Sequence, residues 1–480
     1  MHRDHIFREY DIRGIVGRDF DEEFALSLGR AFGSRIKQNS DKGRGVSVGR
    51  DVRLSSEILA NRVIEGIMSS GVSVFDLGMC PTPLQYFSIH HLDLDGGVMV
   101  TGSHNPPEYN GFKLSVGKET IFGPDIQIIK HVIEHRPLHI TQTRGSVEGY
   151  DIISAYRAFM ENRFSYLSDP KYPRLRIAVD AGNGTAGPVA PPILEAMGCD
   201  VIPLYCEPDG RFPNHHPDPT VVAYLQDLIR VTKHHGADMG VGYDGDADRI
   251  GVVDSAGKIV WGDHLMIILA RDILRRRPNA IVIGDVKCSQ NMFDDIAKHG
   301  GRPIMWKTGH SLVKDKMRRE RAVLAGEFSG HIFIADDYYG YDDAVYATCR
   351  LVEIMKHTGR GIRELLADVP ETVSTPEIRV ECSDERKQAI VETLVRACKY
   401  YESSGKGPVL IKKLYDIDGA RVIFEKGWGL VRSSNTQPVI VMRFEAEDEE
   451  SLAVYRKFLE ETLRRLETEG NDVDNEQPFG

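Results

Sequence analysis

The sequence predicts an α/β protein with three similar doubly wound, mixed-sheet domains and a smaller C-terminal α+β domain, all set around a central cleft. Three observations lead there. At 480 residues the chain is too long for one hydrophobic core and suits three or four domains. A strand–helix–strand–helix–strand order occurs three times along it. After about residue 370 that order gives way to strands without regular alternating helices.

The first strand of each unit is a short apolar run that ends in a polar or glycine loop, at residues 46–51, 177–182 and 281–285. Helix-compatible sequence follows, and then a glycine-led second strand at 71–75, 198–202 and 301–305. The third strands, 98–100, 239–241 and 323–325, each run into a conspicuous loop. These are the loop around Ser103, the loop from Asp244 to Arg249, and the loop from Gly326 to His331. Strands that alternate with helices form largely parallel sheets, and ligands collect beyond the carboxyl ends of such strands. Three special loops at corresponding ends therefore point to one shared cleft. Residues 377–380, 419–424 and 439–444 read as strands of the last unit, followed by a helix over 449–466. The expected domains are 1–150, 151–256, 257–370 and 371–468. Residues 469–480 are polar, aperiodic and expected to be a flexible tail.

Composition narrows the partners. A formal net charge of −11 argues against nonspecific nucleic-acid binding, which needs basic surface to replace counterions. No apolar run approaches the roughly 18 to 20 residues that cross a bilayer. The N-terminus, Met1-His-Arg-Asp-His-Ile, has no signal-peptide core, so a cytoplasmic location is expected. Seven scattered cysteines without a C-x-x-C pair fit neither a disulfide framework nor a zinc site.

Asp244, Asp246 and Asp248 leave a strand at alternate positions, beside the fixed charge of Arg249. Crowded carboxylates repel unless a cation is present, and hard oxygen donors favour Mg²⁺. An EF-hand is a poor match, because Arg249 stands where its glycine is required. Ser103, in Thr-Gly-Ser-His-Asn-Pro-Pro, would alone read as a turn or cap residue. Lys113 ten residues on, and a metal loop at the end of an analogous strand, make it a candidate phosphoryl acceptor, since a serine hydroxyl needs such assistance. Arg432-Ser-Ser434-Asn435-Thr436 gathers a guanidinium and several neutral donors suited to a phosphate. Glu327, Ser329 and His331, alternating between glycines, suit the vicinal hydroxyls of a sugar. Lys287 and Thr308-Gly309-His310 end the other strands of the third unit, within reach of the same cleft.

The chain resembles the α-D-phosphohexomutases over nearly its whole length, closest to the branch that acts on mannose and glucose phosphates. The resemblance is carried by Tyr10-Asp-Ile-Arg-Gly14, Val48-Gly-Arg-Asp51, the Ser103 loop through Asn110-Gly-Phe-Lys113, and Asp244 to Arg249. Asp285-Val-Lys-Cys288, Gly326 to His331, and Arg432 to Thr436 complete it. It implies four domains around a cleft, with Ser103 phosphorylated and Asp244, Asp246, Asp248 and Ser103 holding one Mg²⁺. It places Tyr10, Arg13, Lys113 and Arg249 near the reacting phosphate. Glu327 and Ser329 would hold sugar hydroxyls, Lys287, His310 and His331 would line the sugar site, and Arg432, Ser434, Asn435 and Thr436 would grip the other phosphate. Ala247 replaces a glycine common in the metal loop, and Phe328 a common methionine.

These parts imply a reversible exchange of hexose 1- and 6-phosphates through phosphoserine and a hexose 1,6-bisphosphate. Lys113, with His331 as the alternative, is the candidate proton carrier. A phosphatase of the haloacid-dehalogenase type would show Thr or Val where Asp248 stands, and a phosphosugar sensor would tolerate loss of the serine or a ligand. Phosphoglucosamine mutase is the nearest competitor, favoured by a glutamine that the Phe328 position lacks. The expected partners are small phosphosugars, with neither nucleic acid nor membrane.

Overall fold

The structure, a computed structural model, describes residues 4–39, 43–135, 141–435 and 437–469. Thr436 and residues 470–480, which include nearly all of the expected tail, lie outside the described residues.

The described strands form four sheets. In each of the first three, the unit's first strand is central, and the second and third lie parallel on either side of it. Val46–Arg50 is flanked by Val74–Met79 and Gly96–Val100, Arg176–Asp180 by Asp200–Leu204 and Met239–Tyr243, and Ile281–Asp285 by Arg302–Trp306 and Leu324–Gly326. The third strand then turns back through its special loop into an antiparallel partner: Tyr109–Val116, Ile250–Asp254 or Ile332–Ile334. These return strands make the sheets mixed, and they turn each special loop into a hairpin tip beside the parallel strand ends.

The glycine expected to start each second strand does a different job. Gly71 and Gly198 take left-handed backbone (φ +79° and +76°), as does Gly300 (φ +79°), and the strands begin two or more residues later. A helix commonly stops on such a residue, and glycine adopts this conformation without a Cβ penalty.

The last unit is an antiparallel sheet backed by Asp384–Ser404 and Glu449–Glu469. Its central strand is Gly427–Ser433, nearly all buried, which delivers Arg432. The cores divide unevenly. One cluster runs continuously through the second and third sheets and the helix Ala344–Thr358, whereas the first unit has its own around Val48, Val98 and Phe112, and the last unit its own around Leu394, Phe444 and Leu459. The seam between the third and last units combines a small apolar cluster of Val286, Trp428 and Leu430 with buried polar contacts. Buried Arg421 donates to the carbonyls of Val286 (2.5 Å) and Cys288 (2.8 Å) and stacks on Trp428, 3.7 Å from the ring centroid.

Candidate active site

Ser103 sits buried at the tip of the first hairpin with φ +48°, a left-handed backbone uncommon for a non-glycine residue and frequent at functional sites. Its surroundings hold it there. Arg53, fully buried, reads the loop as a series of carbonyls, donating to Ser103 O (2.8 Å), Asn105 O (2.5 Å), Pro106 O (2.5 Å) and Tyr109 O (2.9 Å). Asp51 accepts from the Gly102 amide at 3.0 Å, and a Cβ at Gly102 would run into the Arg53 guanidinium. Arg13 reaches the same loop, donating to Asn105 Oδ1 at 2.6 Å.

The Ser103 hydroxyl donates to Asp244 Oδ2 at 2.9 Å, and His104 Nδ1 lies 3.0 Å from Ser103 Oγ. Asp244, Asp246 and Asp248 are fully buried with a carboxylate oxygen of each within 4.8 Å of the others. Asp244 Oδ1 accepts from the amides of Asp248 and Arg249, both at 3.1 Å, and Ala247 turns the loop at φ +57°. Burial, and then the charges of Asp248 and Asp246, push the Asp244 carboxyl well above its usual range. Asp246 Oδ1 and Asp248 Oδ1 are buried without a hydrogen-bond partner. Three carboxylates, two orphaned oxygens and a serine hydroxyl form a hard-oxygen donor set that fits a divalent cation.

Lys113 is held tightly. Its ammonium lies 2.8 Å from Asp246 Oδ2 and 2.5 Å from Asp248 Oδ2. Burial would lower its pKa, but those two carboxylates outweigh burial and raise it well above the usual value. The arrangement therefore gives the lysine a fixed positive charge and makes it a poor proton acceptor. His331 is the alternative: its Nε2 carries the lone pair, which here accepts from Arg249 Nε at 2.9 Å.

The other end of the cleft is assembled across domain seams. Tyr10 donates to Thr308 O at 2.6 Å and accepts from Asn435 Nδ2, and its ring packs edge-on to His310. Arg432 pairs with Asp418 (Nε to Oδ2, 2.9 Å), which also accepts from the Thr308 amide at 3.1 Å. Gly309 donates its amide to Glu327 Oε1 at 2.9 Å, and Ser329 donates to Glu327 Oε2 at 3.1 Å. A Cβ at Gly309 would collide with the Tyr10 ring. Lys287 lies 3.5 Å from Glu377 Oε2, which joins the third unit to the last. His310 stacks on His331 at 5.7 Å and connects the two ends. Ser434 is turned to its own loop and accepts from the Gln437 amide at 3.2 Å. The Phe328 ring is occupied by Arg443, 3.7 Å from its centroid, and by Trp261.

The structure thus gathers Ser103, Lys113, Asp244, Asp246, Asp248, Arg249 and His331 in one cluster and Tyr10, Thr308, Asn435 and Arg432 in another, with His310 between them. Sequence reasoning missed Arg53, His104 and Asp418, together with Thr82, which donates to Asp246 Oδ2 at 2.5 Å, and Asp342, whose Oδ2 lies 3.0 Å from His331 Nδ1. Only the Thr-Gly-Ser-His motif carried a signal for one of them, His104.

The chain matches known proteins along nearly its whole length. The phosphoglucomutase/phosphomannomutase family's α/β/α domains I, II and III match residues 4–137, 154–257 and 261–373, and its C-terminal domain matches 377–462. A phosphomannomutase/phosphoglucomutase from Pseudomonas putida is 44% identical over 97% of this chain and 97% of its own. A phosphoglucomutase from Neisseria gonorrhoeae is 39% identical over 93% and 94%. A crystal structure of a phosphoglucomutase/phosphomannomutase family protein from Burkholderia thailandensis superimposes with a TM-score of 0.86 at 40% identity, covering 97% of this chain and 98% of that one. Matched in every domain and along nearly its whole length, the chain belongs to the phosphoglucomutase/phosphomannomutase family and is a hexose phosphate mutase.

Proposed function

We propose that this mutase interconverts the 1- and 6-phosphates of mannose and glucose by passing a phosphoryl group through Ser103. The observation that carries the reading is the Ser103 hydroxyl, presented on left-handed backbone 2.9 Å from Asp244 of the buried carboxylate cluster. The phosphoryl group on Ser103 Oγ passes to the free hydroxyl of a hexose phosphate. As the P–Oγ bond breaks and the new P–O bond forms, Arg249 turns from His331 Nε2 to the transferring group and the hydroxyl proton moves to Nε2. The product is a hexose 1,6-bisphosphate. After it turns in the cleft, its other phosphate returns to Ser103 Oγ, and His331 gives the proton back to the sugar oxygen released.

Asp244, Asp246, Asp248 and Ser103 would hold Mg²⁺, which supplies positive charge to the transferring group. Lys113, Arg13 and Arg249 add fixed charge at that end. Arg432, Ser434, Asn435 and Thr436 grip the phosphate that is not reacting, with Tyr10 and Lys287 beside them, while Thr308, Gly309 and His310 complete the sugar site. The work divides among units 1–150, 151–256, 257–370 and 371–468, and the enzyme would operate in the cytoplasm on small phosphosugars. Intact-mass analysis of the purified protein is expected to show a phosphate mapped to the Ser103 peptide. Ser103→Ala should fold normally and lose at least about a thousandfold in mutase rate. Ordinary turnover by that variant would refute the phosphoserine route.

Glu327 and Ser329 suit the O3 and O4 hydroxyls, which mannose and glucose present identically. The residue best placed to crowd C2, Phe328, is held back by Arg443 and Trp261. Side-by-side coupled assays should give kcat/KM for mannose and glucose 1-phosphates within about a hundredfold, under roughly 3 kcal/mol. Glucosamine 1-phosphate should be distinctly poorer.

A further inference from the structure

Behind His331 lies a fully buried carboxylate, Asp342, with no role in the steps above. We propose that Asp342 is the positioning residue of His331, holding its imidazole in the tautomer whose Nε2 faces the reacting oxygen. This rests on reading His331 as the proton acceptor. In a neutral imidazole one nitrogen carries hydrogen and the other a lone pair. Arg249 Nε donates to Nε2, so the hydrogen resides on Nδ1. Two carboxylate oxygens face that nitrogen, Asp342 Oδ2 at 3.0 Å and Asp248 Oδ1 at 3.6 Å. Asp342 Oδ2 and His331 Nδ1 are both buried and neither makes a hydrogen bond as placed, so a small turn of the ring lets the nearer oxygen, that of Asp342, accept the Nδ1 hydrogen. The same three atoms lie close enough together to hold a cation, but an Nδ1 that carries hydrogen cannot ligate one.

Asp342 is fixed in place from three directions. Its backbone bridges to Phe333, in the strand that follows His331. Its neighbour Asp343 caps the buried helix Ala344–Thr358 by accepting from the Tyr346 amide at 2.8 Å. Its second oxygen accepts from the Lys314 ammonium at 3.1 Å, and that ammonium lies 4.1 Å from the centroid of the Tyr86 ring. Burial alone would favour the neutral acid, but Lys314 and then His331 keep the carboxyl well below the usual carboxylate range. A carboxylate so anchored fixes the orientation of the imidazole as well as its tautomer. Asp248 is committed to the cation cluster, which leaves the orienting task to Asp342.

The test is a double-mutant cycle on the intact enzyme. Asp342→Asn should lower kcat about ten- to a hundredfold with KM within threefold, because a carboxamide can turn its NH₂ toward Nδ1 and favour the wrong tautomer. In a His331→Ala background the same substitution should change kcat less than threefold. Since Asp342→Asn leaves Lys314 buried and unpaired, Lys314→Met/Asp342→Asn is measured beside it and should show the same kcat loss with thermal stability recovered. The proposal is overturned if either Asn variant turns over within twofold of wild type, or if Asp342→Asn adds its full factor to His331→Ala. A His331→Ala enzyme running at wild-type rate would instead overturn the proton-acceptor reading.

Discussion

The two ends of the cleft are built on opposite plans. Around Ser103 the charges are buried and held by short pairings with one another across the seam between the first and second units: Ser103 to Asp244, and Lys113 to Asp246 and Asp248. Around Arg432 the groups belong to a domain with its own core, joined to the rest by a small apolar cluster at Val286 and by single polar contacts: Asn435 to Tyr10, Asp418 to Thr308, Lys287 to Glu377. Chemistry that depends on fixed dipoles benefits from the first plan, since electrostatic stabilisation of transferring charge requires groups that do not rearrange. A grip that must accept either end of a bisphosphate benefits from the second, because a separately packed domain can open and close over the ligand.

The contrast breaks first at the metal cluster. Asp246→Asn should cost about a hundred- to a thousandfold in kcat and weaken the response to added Mg²⁺, with little effect on KM. Wild-type enzyme in excess chelator should stop and recover on adding Mg²⁺, and full activity without metal would show that the Ser103 end works on its own lysine and arginines. Arg432→Ala should act differently, raising KM and lowering kcat together by about ten- to a hundredfold overall, because binding there also orients the sugar. An effect on kcat alone would place Arg432 with the reacting end and blur the comparison.

The smallest effect concerns the seam. Glu377 is held down to about 2: burial pushes its carboxyl up, but Lys287 and then Arg379 outweigh it. A carboxyl lowered on folding adds stability that is present above its unfolded value, near 4.3, and is lost as pH falls toward 2. Between pH 5 and pH 3 the wild-type Tm should therefore fall further than that of Glu377→Gln, a difference worth about 1 to 3 kcal/mol in all. Equal falls would mean that the polar contacts of the seam contribute nothing of this kind.

The Ser103 end was the more legible in sequence, and the reason is locality. Ser103, Lys113 and the three aspartates fall in two short segments whose spacing already suggests a cation. The parallel strands were legible because each is a short apolar run between turn signals. Their antiparallel partners were not, because they begin within the special loops, where Asn110-Gly-Phe-Lys113 and Ile250 read as motif or loop. Left-handed Gly71 and Gly198 read as strand starts because both a strand and the turn before it favour a glycine there. Asp342 lies in a tyrosine-rich run with no period or motif, and Arg53 acts by gathering carbonyls, an assembly that no residue pattern announces. Asp418 in Asp-Ile-Asp-Gly looks like any turn until the fold sets it between Arg432 and Thr308.

The contact between Tyr10 and Asn435 joins residues 425 positions apart. During synthesis the first three units leave the ribosome before the last one exists, and domains generally fold as they emerge. Such a nascent chain already holds Ser103, the carboxylate cluster and His331, yet its cleft has no far wall. The protein therefore becomes competent at a single late moment, when its final domain docks against its first ten residues, and chains broken off early should carry every reacting group and convert no sugar.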